Sequence, residues 1–469
     1  MKPMPLSRLA DACSGRLNDA AQSVADSEVT NFCVDSRDVS TGDVFVAIRG
    51  ERTDGHLYAS SAVRDGAIAA LVSEDLPGVP CVLVPDTVRA LGDIARWYRR
   101  EVVNATVVGV TGSSGKTTTK DLIAHVLEAS KMGGVVAARG SFNTEVGVPL
   151  TILEADDETR FLVLEMGMRG LGHIAYLADV AQPDIGVVLN VGSAHVGMMN
   201  RLEDIAIAKG ELIESLPTKA HAILNAGDPK VAAMAERTSA QVVWFGVDVK
   251  AEVGGRNIQI DEYGRPTFDL AIAGHQVGPV SLQLHGEHFI ESALAAAAVG
   301  YVCGVDVPKI ALALSNAQPR SRWRMEVTTT SDDVTVISDV YNANPESMRA
   351  ALKALRSMAN GGRTWAVLGE MRELGECSVD EHDAIGRLAV RLDISRLVCI
   401  GEATKVMHLA ASNEGSWGDE STWVPDAQAA IDLLDREVRP GDVVLVKASR
   451  SVGLEVVSEH LLAQDRRSA

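Results

Sequence analysis

The sequence predicts an α/β protein of three domains with mostly parallel sheets. Short β-branched runs alternate with helical periods nearly throughout the chain, the pattern of strands connected through crossover helices. The 469 residues correspond to about three domains of typical size. In the middle of the chain a β-branched run leads into Gly112-x-x-Gly115-Lys116-Thr117, the strand, glycine turn and helix start of a phosphate-binding P-loop.

In the first block, the runs at 31–35, 44–48, 67–72 and 81–84 are expected strands. From Asp86 the period changes. Asp86 suits a helix cap, and Val88, Leu91, Ile94, Ala95 and Tyr98 fall on one helical face. Arg99-Arg100-Glu101 closes that helix, and 102–104 is the expected first linker. The second block opens with a strand at 106–110 and adds apolar strands at 161–165, 185–190 and 221–224. It ends in an alanine-rich helix over 292–302 and another around 308–316. Asn316-Ala317-Gln318-Pro319 is the expected second linker, because proline ends a helix and biases the residue before it away from helical angles. The third block alternates regularly, with strands at 334–338, 365–368, 397–400 and 442–446. Helices follow Asn344-Pro345, where a cap precedes a first-turn proline, and follow Asp380, Pro425 and Ser451. The expected domains are therefore 1–103, 104–318 and 319–469.

Composition narrows the function classes. Hydrophobic residues make up 46% of the chain, enough to build substantial cores. Lys and Arg number 44 against 63 Asp and Glu, a net charge of −19, which argues against a nucleic-acid groove or an anionic membrane as partner. With 6 Trp, 6 Tyr and 7 Phe, base-stacking platforms are not expected either. The six cysteines (Cys13, Cys33, Cys81, Cys303, Cys377 and Cys399) include no C-x-x-C pair and suit buried thiols in a reducing cytoplasm. The start, Met-Lys-Pro-Met-Pro, lacks the apolar core of a secretory signal, and no apolar run approaches the ~18 residues of a membrane span. A cytoplasmic protein is expected.

The chemistry concentrates at the glycine turn. Backbone N–H groups of Gly112, Ser113, Ser114 and Gly115, with the positive end of the following helix, would surround a phosphate. Lys116 would reach the terminal phosphates, and the Thr117 hydroxyl, followed by Thr118, would hold Mg²⁺. Val110 stands where the usual P-loop has its first glycine. An apolar strand ends on Glu165, as the second motif of P-loop enzymes does, and His195 follows another strand's C-terminal end, where ligands gather in such sheets. Lys209 alone suggests only a solvated helix lysine. A P-loop kinase and a non-catalytic nucleotide switch remain open on these residues.

The loop, Glu165, His195 and Lys209, in this order and context, resemble the Mur ligases, ATP-dependent amide ligases of peptidoglycan precursor synthesis. The resemblance covers nearly the whole chain. Glu165-Met166-Gly167-Met168-Arg169-Gly170-Leu171-Gly172-His173-Ile174, Ser338-Asp339-Val340-Tyr341-Asn342-Ala343-Asn344-Pro345, 367–375 and 446–451 are similar to the member that joins D-alanyl-D-alanine to UDP-N-acetylmuramoyl-tripeptide. The Asp-Asn-Pro-Arg motif typical of the ligase adding the third residue is absent. The resemblance implies a UDP-sugar domain, a central ATP-binding P-loop domain and a C-terminal Rossmann-like domain for the dipeptide. Further rivals are that third-residue ligase and a folate polyglutamylating one.

Residue by residue, the resemblance implies a catalytic set of Lys116, Glu165, His195, Lys209 and Arg324. Two Mg²⁺ are implied, with Thr117 on one, Glu165 and His195 on the other, and Lys209 as a carbamylated ligand. ATP would meet 112–118, Asn225 and Asp228 near the adenine, Arg324 at the γ-phosphate and Asp339 on the ribose side. Ser36 and Arg37, with 50–56, resemble the UDP-sugar segments; the forked donors of an arginine suit a diphosphate. Asn143 and Thr144 would lie on the substrate side of the loop, and Tyr341, Asn342, Lys447, Ser449 and Arg450 would place the dipeptide. Two departures stand out: Phe289 and Ser292 replace the family's usual asparagines, and Trp323 stands where glycine is common. The expected partners are these small molecules, acting on a monomer, with lysine or diaminopimelate at the third peptide position left open.

Overall fold

The computed structural model describes residues 1–50, 53–192, 201–415 and 420–463. Consecutive apolar residues in the run over 106–111 suit a strand covered on both faces, and the run forms the strand Thr106–Thr111 inside the central sheet. Among the described residues that sheet has nine strands. Their order is Gly134–Ala137, Thr159–Glu165, Thr106–Thr111, Ile185–Val188, His221–Asn225, Gln241–Val247, Val253–Ile260, Pro266–Ile272 and His275–Ser281. The first seven are parallel, and the last two add antiparallel.

Side-chain alternation sorts the core. Val108, Val110, Phe161 and Val163 pack with the helices Lys116–Ser130, Phe289–Val302 and Val307–Asn316. Val107, Leu162 and Leu164 pack with Gly147–Leu153, His173–Ala181 and Leu202–Glu214 on the other face. From Thr106–Thr111 the chain passes to one side for two strands and then to Ile185–Val188 on the other. This reversal opens a crevice at the strands' C-terminal ends, the usual ligand position in such sheets.

The helix capped by Asp86, whose carboxylate accepts from the Val88 and Arg89 amides, spans Thr87–Glu101. It follows the first five-stranded sheet (Arg16–Leu17, Cys81–Leu83, Ala69–Val72, Asp43–Val46, Asn31–Cys33 in spatial order), yet it packs on the central block. Leu91, Ile94, Ala95 and Tyr98 share one core with Val148, Ile152, Leu177 and Ala178. The fully buried Tyr98 hydroxyl donates to the Ala155 carbonyl at 2.7 Å and accepts from the Lys2 amide at 2.7 Å.

The third block carries a six-stranded sheet among the described residues, ordered Glu326–Thr329, Thr335–Asp339, Val443–Lys447, Thr364–Leu368, Arg396–Ile400 and Ser421–Val424. Only its first pair is antiparallel. Asn344 and Ser347 form a reciprocal cap that starts the helix Pro345–Ser357. The last helix begins at Glu455 rather than at Ser451, because Arg450–Val452 forms a 3₁₀ turn closed by Gly453 at φ 78°. The block sits over the phosphate loop: the Ser321 hydroxyl donates to Asp121 at 2.6 Å, Arg320 pairs with Glu128, and the Asn344 amide donates to the Ser113 carbonyl at 3.3 Å. Among the described residues no helix is long and apolar enough to cross a membrane.

Candidate active site

Between the central and third blocks lies a cleft of about 540 Å³. Its floor is the phosphate loop. Gly115 takes φ 78° at the N-cap of Lys116–Ser130, a left-handed angle that favours glycine. A side chain at Gly112 would meet Leu189 Cβ at 2.9 Å. The Ser113 and Ser114 amides donate to Asn190 Oδ1 at 2.9 and 3.0 Å. Lys116 Nζ donates to the Gly112 carbonyl at 2.8 Å.

Charge converges where the helix starts. Thr117 Oγ1 donates to Glu165 Oε2 at 2.8 Å, Asn143 Nδ2 donates to Glu165 Oε1 at 2.7 Å, and Arg324 Nη2 donates to Thr117 Oγ1 at 2.9 Å. Glu165 is 1% exposed. Burial holds the Lys116 pKa below the usual lysine range, opposed by the charge of Glu165 and reinforced by that of Arg324. Lys209, also 1% exposed, is held well below that range by burial and then by the Lys116 charge. It is thus a buried lysine that gives up its proton more readily than the solvated cation its sequence position suggests.

This arrangement fits a polyphosphate with a divalent cation. Arg324 Nε is buried with no partner among the described residues, a donor waiting for an acceptor. Among these residues no three His, Cys, Asp or Glu side chains cluster as a complete metal cage. Mg²⁺ does not need one, since it binds through one or two carboxylates, water and substrate phosphates. Thr117 and Glu165 supply hard oxygen ligands, while His195 lies outside the described residues.

The cleft brings together Ser113, Ser114, Gly115, Lys116, Thr117, Thr118, Asn143, Thr144, Glu165, Arg324, Asp339, Tyr341, Asn342 and Lys447. The Lys447 ammonium is buried against Asp339 at 2.5 Å and donates to the Asn342 carbonyl at 2.9 Å. Tyr341 hydrogen-bonds Ser141 across the cleft, and the Arg324 guanidinium lies 4.2 Å over its ring. Other expected residues stand apart from the lining. Asn225 bonds the Leu189 carbonyl and the Gly227 amide, and Asp228 caps the helix Pro229–Ala232 and accepts from the Val191 amide. Ser449 accepts from the Arg372 amide, and Arg450 pairs with Glu455. Ser36 and Arg37 lie on the first block, with the Arg37 side chain 85% exposed and paired to Asp35.

The two departures from the family pattern have visible outcomes. Phe289 joins the core at the helix start, its ring 4.1 Å from that of His288. Trp323 packs between Arg322 and Arg450, at 5.0 and 4.3 Å from its ring. Trp323 and Met325 take φ 61° and 50° on either side of Arg324, strained angles for such side chains. Sequence reasoning missed Asn190, which follows an apolar strand and carries no motif. It also missed His288 and Glu291, which line the cleft. The position of Asn190 past a strand end beside the loop was the one available signal.

Comparison with known proteins follows the same lines. The Mur ligase family, catalytic domain matches residues 28–99, the Mur ligase middle domain matches 110–300, and the Mur ligase, glutamate ligase domain matches 323–450. The UDP-N-acetylmuramoyl-tripeptide–D-alanyl-D-alanine ligase of Mycobacterium leprae is 44% identical, over 98% of this chain and 99% of its own. The crystal structure of MurF from Acinetobacter baumannii superposes with a TM-score of 0.86 at 28% identity, covering 98% of this chain and 99% of that one. MurF ligase from Thermotoga maritima, solved in complex with ADP, gives a TM-score of 0.80 at 30% identity, covering 96% and 100%. With three domains matched in order and relatives aligned over nearly its full length, the chain belongs to the Mur ligase family.

Proposed function

We propose that this chain is an ATP-dependent ligase that joins D-alanyl-D-alanine to UDP-N-acetylmuramoyl-tripeptide in peptidoglycan precursor synthesis. The observation that carries the reading is the meeting of Lys116, Thr117 and Glu165 from the central block with Arg324 from the third. A phosphate-transfer centre assembled across two blocks suits a reaction that needs a second substrate in place. The name and near-complete coverage of the M. leprae relative support the substrates, and the ADP complex of the T. maritima relative supports the nucleotide.

In this reading the loop amides and Lys116 hold the ATP phosphates, and Arg324 stabilises charge as the γ-phosphoryl group moves to the tripeptide's terminal carboxylate. ADP leaves and an acyl phosphate remains. The dipeptide amine then attacks its carbonyl through a tetrahedral intermediate, forming the amide and expelling phosphate. Thr117, Glu165, His195 and Lys209 are the proposed Mg²⁺ residues; the bound ions would neutralise the phosphates as two anions approach. Lys209 is proposed to carry a carbamate, formed as its neutral nitrogen adds to CO₂ and releases a proton. Its burial and depressed pKa favour that form. Asn143 and Thr144 flank the carboxylate substrate. Tyr341, Asn342 and the Asp339–Lys447 pair border the ribose and dipeptide side, with Ser449 and Arg450 behind them. Asn225 and Asp228 shape the adenine end, and Ser36 and Arg37 bind the UDP moiety. The reading takes a cytoplasmic monomer, in which one chain supplies all these residues.

The test is purified protein with ATP, Mg²⁺, UDP-N-acetylmuramoyl-tripeptide and D-alanyl-D-alanine, followed by mass spectrometry. Pentapeptide product and phosphate release that needs both acceptors are expected. Phosphate release without them, or a phosphorylated end product with no pentapeptide when the dipeptide is present, refutes the ligase reading.

A further inference from the structure

One buried cation near the cleft has no part in the mechanism above. Lys120 lies one turn beyond Lys116 on the helix Lys116–Ser130, with its side chain 2% exposed. An ammonium has three protons, and three acceptors surround this one. They are the Ala138 carbonyl at 2.5 Å, the Gly140 carbonyl at 3.1 Å and Asp121 Oδ1 at 2.8 Å. Asp121 balances its charge, and the two carbonyls belong to the segment that leaves the edge strand Gly134–Ala137.

That segment carries cleft residues. Just after Gly140, Ser141 bonds Tyr341, Asn143 donates to Glu165 at 2.7 Å, and the Thr144 carbonyl accepts from the Val148 amide at 3.0 Å in the turn that enters the helix Gly147–Leu153. Two buried carbonyls aimed at one point need a donor, and an apolar side chain there would leave both unpaired. We propose that Lys120 is a positioning residue of the reaction. It ties the 138–144 segment to the back of the phosphate-loop helix, so that Ser141, Asn143 and Thr144 stand in register over the carboxylate substrate. The inference rests on the amide-ligase reading of the cleft.

The test uses the full chain and two variants. Lys120→Met keeps the stem and removes the donors; Lys120→Arg keeps donors and charge. For Lys120→Met, we expect nucleotide affinity within about twofold of the parent and KM for the tripeptide substrate raised about tenfold or more. Amide hydrogen exchange should quicken about tenfold in 138–144 and stay parent-like in 116–119. Lys120→Arg should recover at least about a third of the parent kcat/KM. Parent-like KM and exchange in Lys120→Met overturn the proposal. So does a loss of nucleotide affinity as large as the rise in KM, or an arginine variant no better than methionine. If Lys120→Met does not fold, exchange in a third variant, Lys120→Gln, which shortens the donor and removes the charge, decides: acceleration confined to 138–144 supports the proposal, and uniform acceleration or none overturns it. Exchange is read without substrates, so a parent enzyme that fails to turn over refutes the ligase reading and leaves the Lys120 test standing.

Discussion

Tyr341 offers the most direct measure of how the third block closes on the phosphate loop. Its hydroxyl bonds Ser141 and its ring lies under Arg324 at 4.2 Å. Tyr341→Phe removes the hydroxyl bond and keeps the ring. A net hydrogen bond contributes about 0.5–1.5 kcal/mol, which at RT of about 0.59 kcal/mol corresponds to roughly a 2- to 12-fold fall in kcat/KM. Tyr341→Leu also removes the cation–π contact, about 0.5–2 kcal/mol, for a further fall of roughly 2- to 30-fold. Ser141→Ala should match Tyr341→Phe, and the double variant Ser141→Ala/Tyr341→Phe should be no worse than either single one. The assay is continuous phosphate release at subsaturating substrates. Multiplicative losses in the double variant would show that the two hydroxyls act independently and would refute the cross-cleft bond.

Asp339→Ala leaves the buried Lys447 ammonium without its partner, so the third block should lose about 3–5 kcal/mol in urea unfolding, while Asp339→Asn/Lys447→Met recovers most of it. Burial pushes the thiols up to about 11 at Cys13 and Cys81 and about 12 at Cys33, Cys303 and Cys399. With Cys377 exposed, one thiol per native chain should react rapidly with a colorimetric disulfide, and none in Cys377→Ser. Lys209 has a folded pKa far below the 10.5 of a free lysine. The unfolded chain therefore binds a proton that the native one lacks, and stability gained through this group rises with pH toward that value. In CO₂-free buffer, Lys209→Met should gain stability over the parent at neutral pH, and the gain should shrink as pH climbs toward the free-lysine value. A pH-independent difference would remove the charge argument.

The parts legible in the sequence are those where one physical cause acts alone. Gly115, Lys116 and Thr117 follow a β-branched strand, and the helix starts at Lys116, where glycine, phosphate-binding lysine and apolar period coincide. Asp86 and Asn344 cap the helices they precede. What escaped was set by tertiary context. The strands Val253–Ile260 and His275–Ser281 carry Gly254-Gly255 and Gly278-Pro279, residues that signal turns and here lie on either side of Pro266–Ile272, antiparallel to it and held in the sheet by it. Asn190 bonds two loop amides, and Lys120 bonds two carbonyls about 20 residues away, pairings that no local spacing encodes. Lys209 looks solvated on its helix until the sheet buries it. Asn225 and Asp228, expected near the adenine, stand apart from the cleft lining, where their side chains hold the turn after His221–Asn225.

The helix Thr87–Glu101 changes what the first linker means. Residues 102–104 look like a place to divide the chain, yet the helix before them is glued to the block after them, with Tyr98 bridging Lys2 and Ala155. A protein cut there would present two sticky halves, each missing one wall of a shared interior. The first two blocks therefore share one interior, and the link near 317–324, whose Arg320 and Ser321 bond the helix Lys116–Ser130, carries the chain into the third block. Dividing the chain at 102–104 would therefore expose the apolar face of Thr87–Glu101, and the two pieces should associate rather than stay apart in solution.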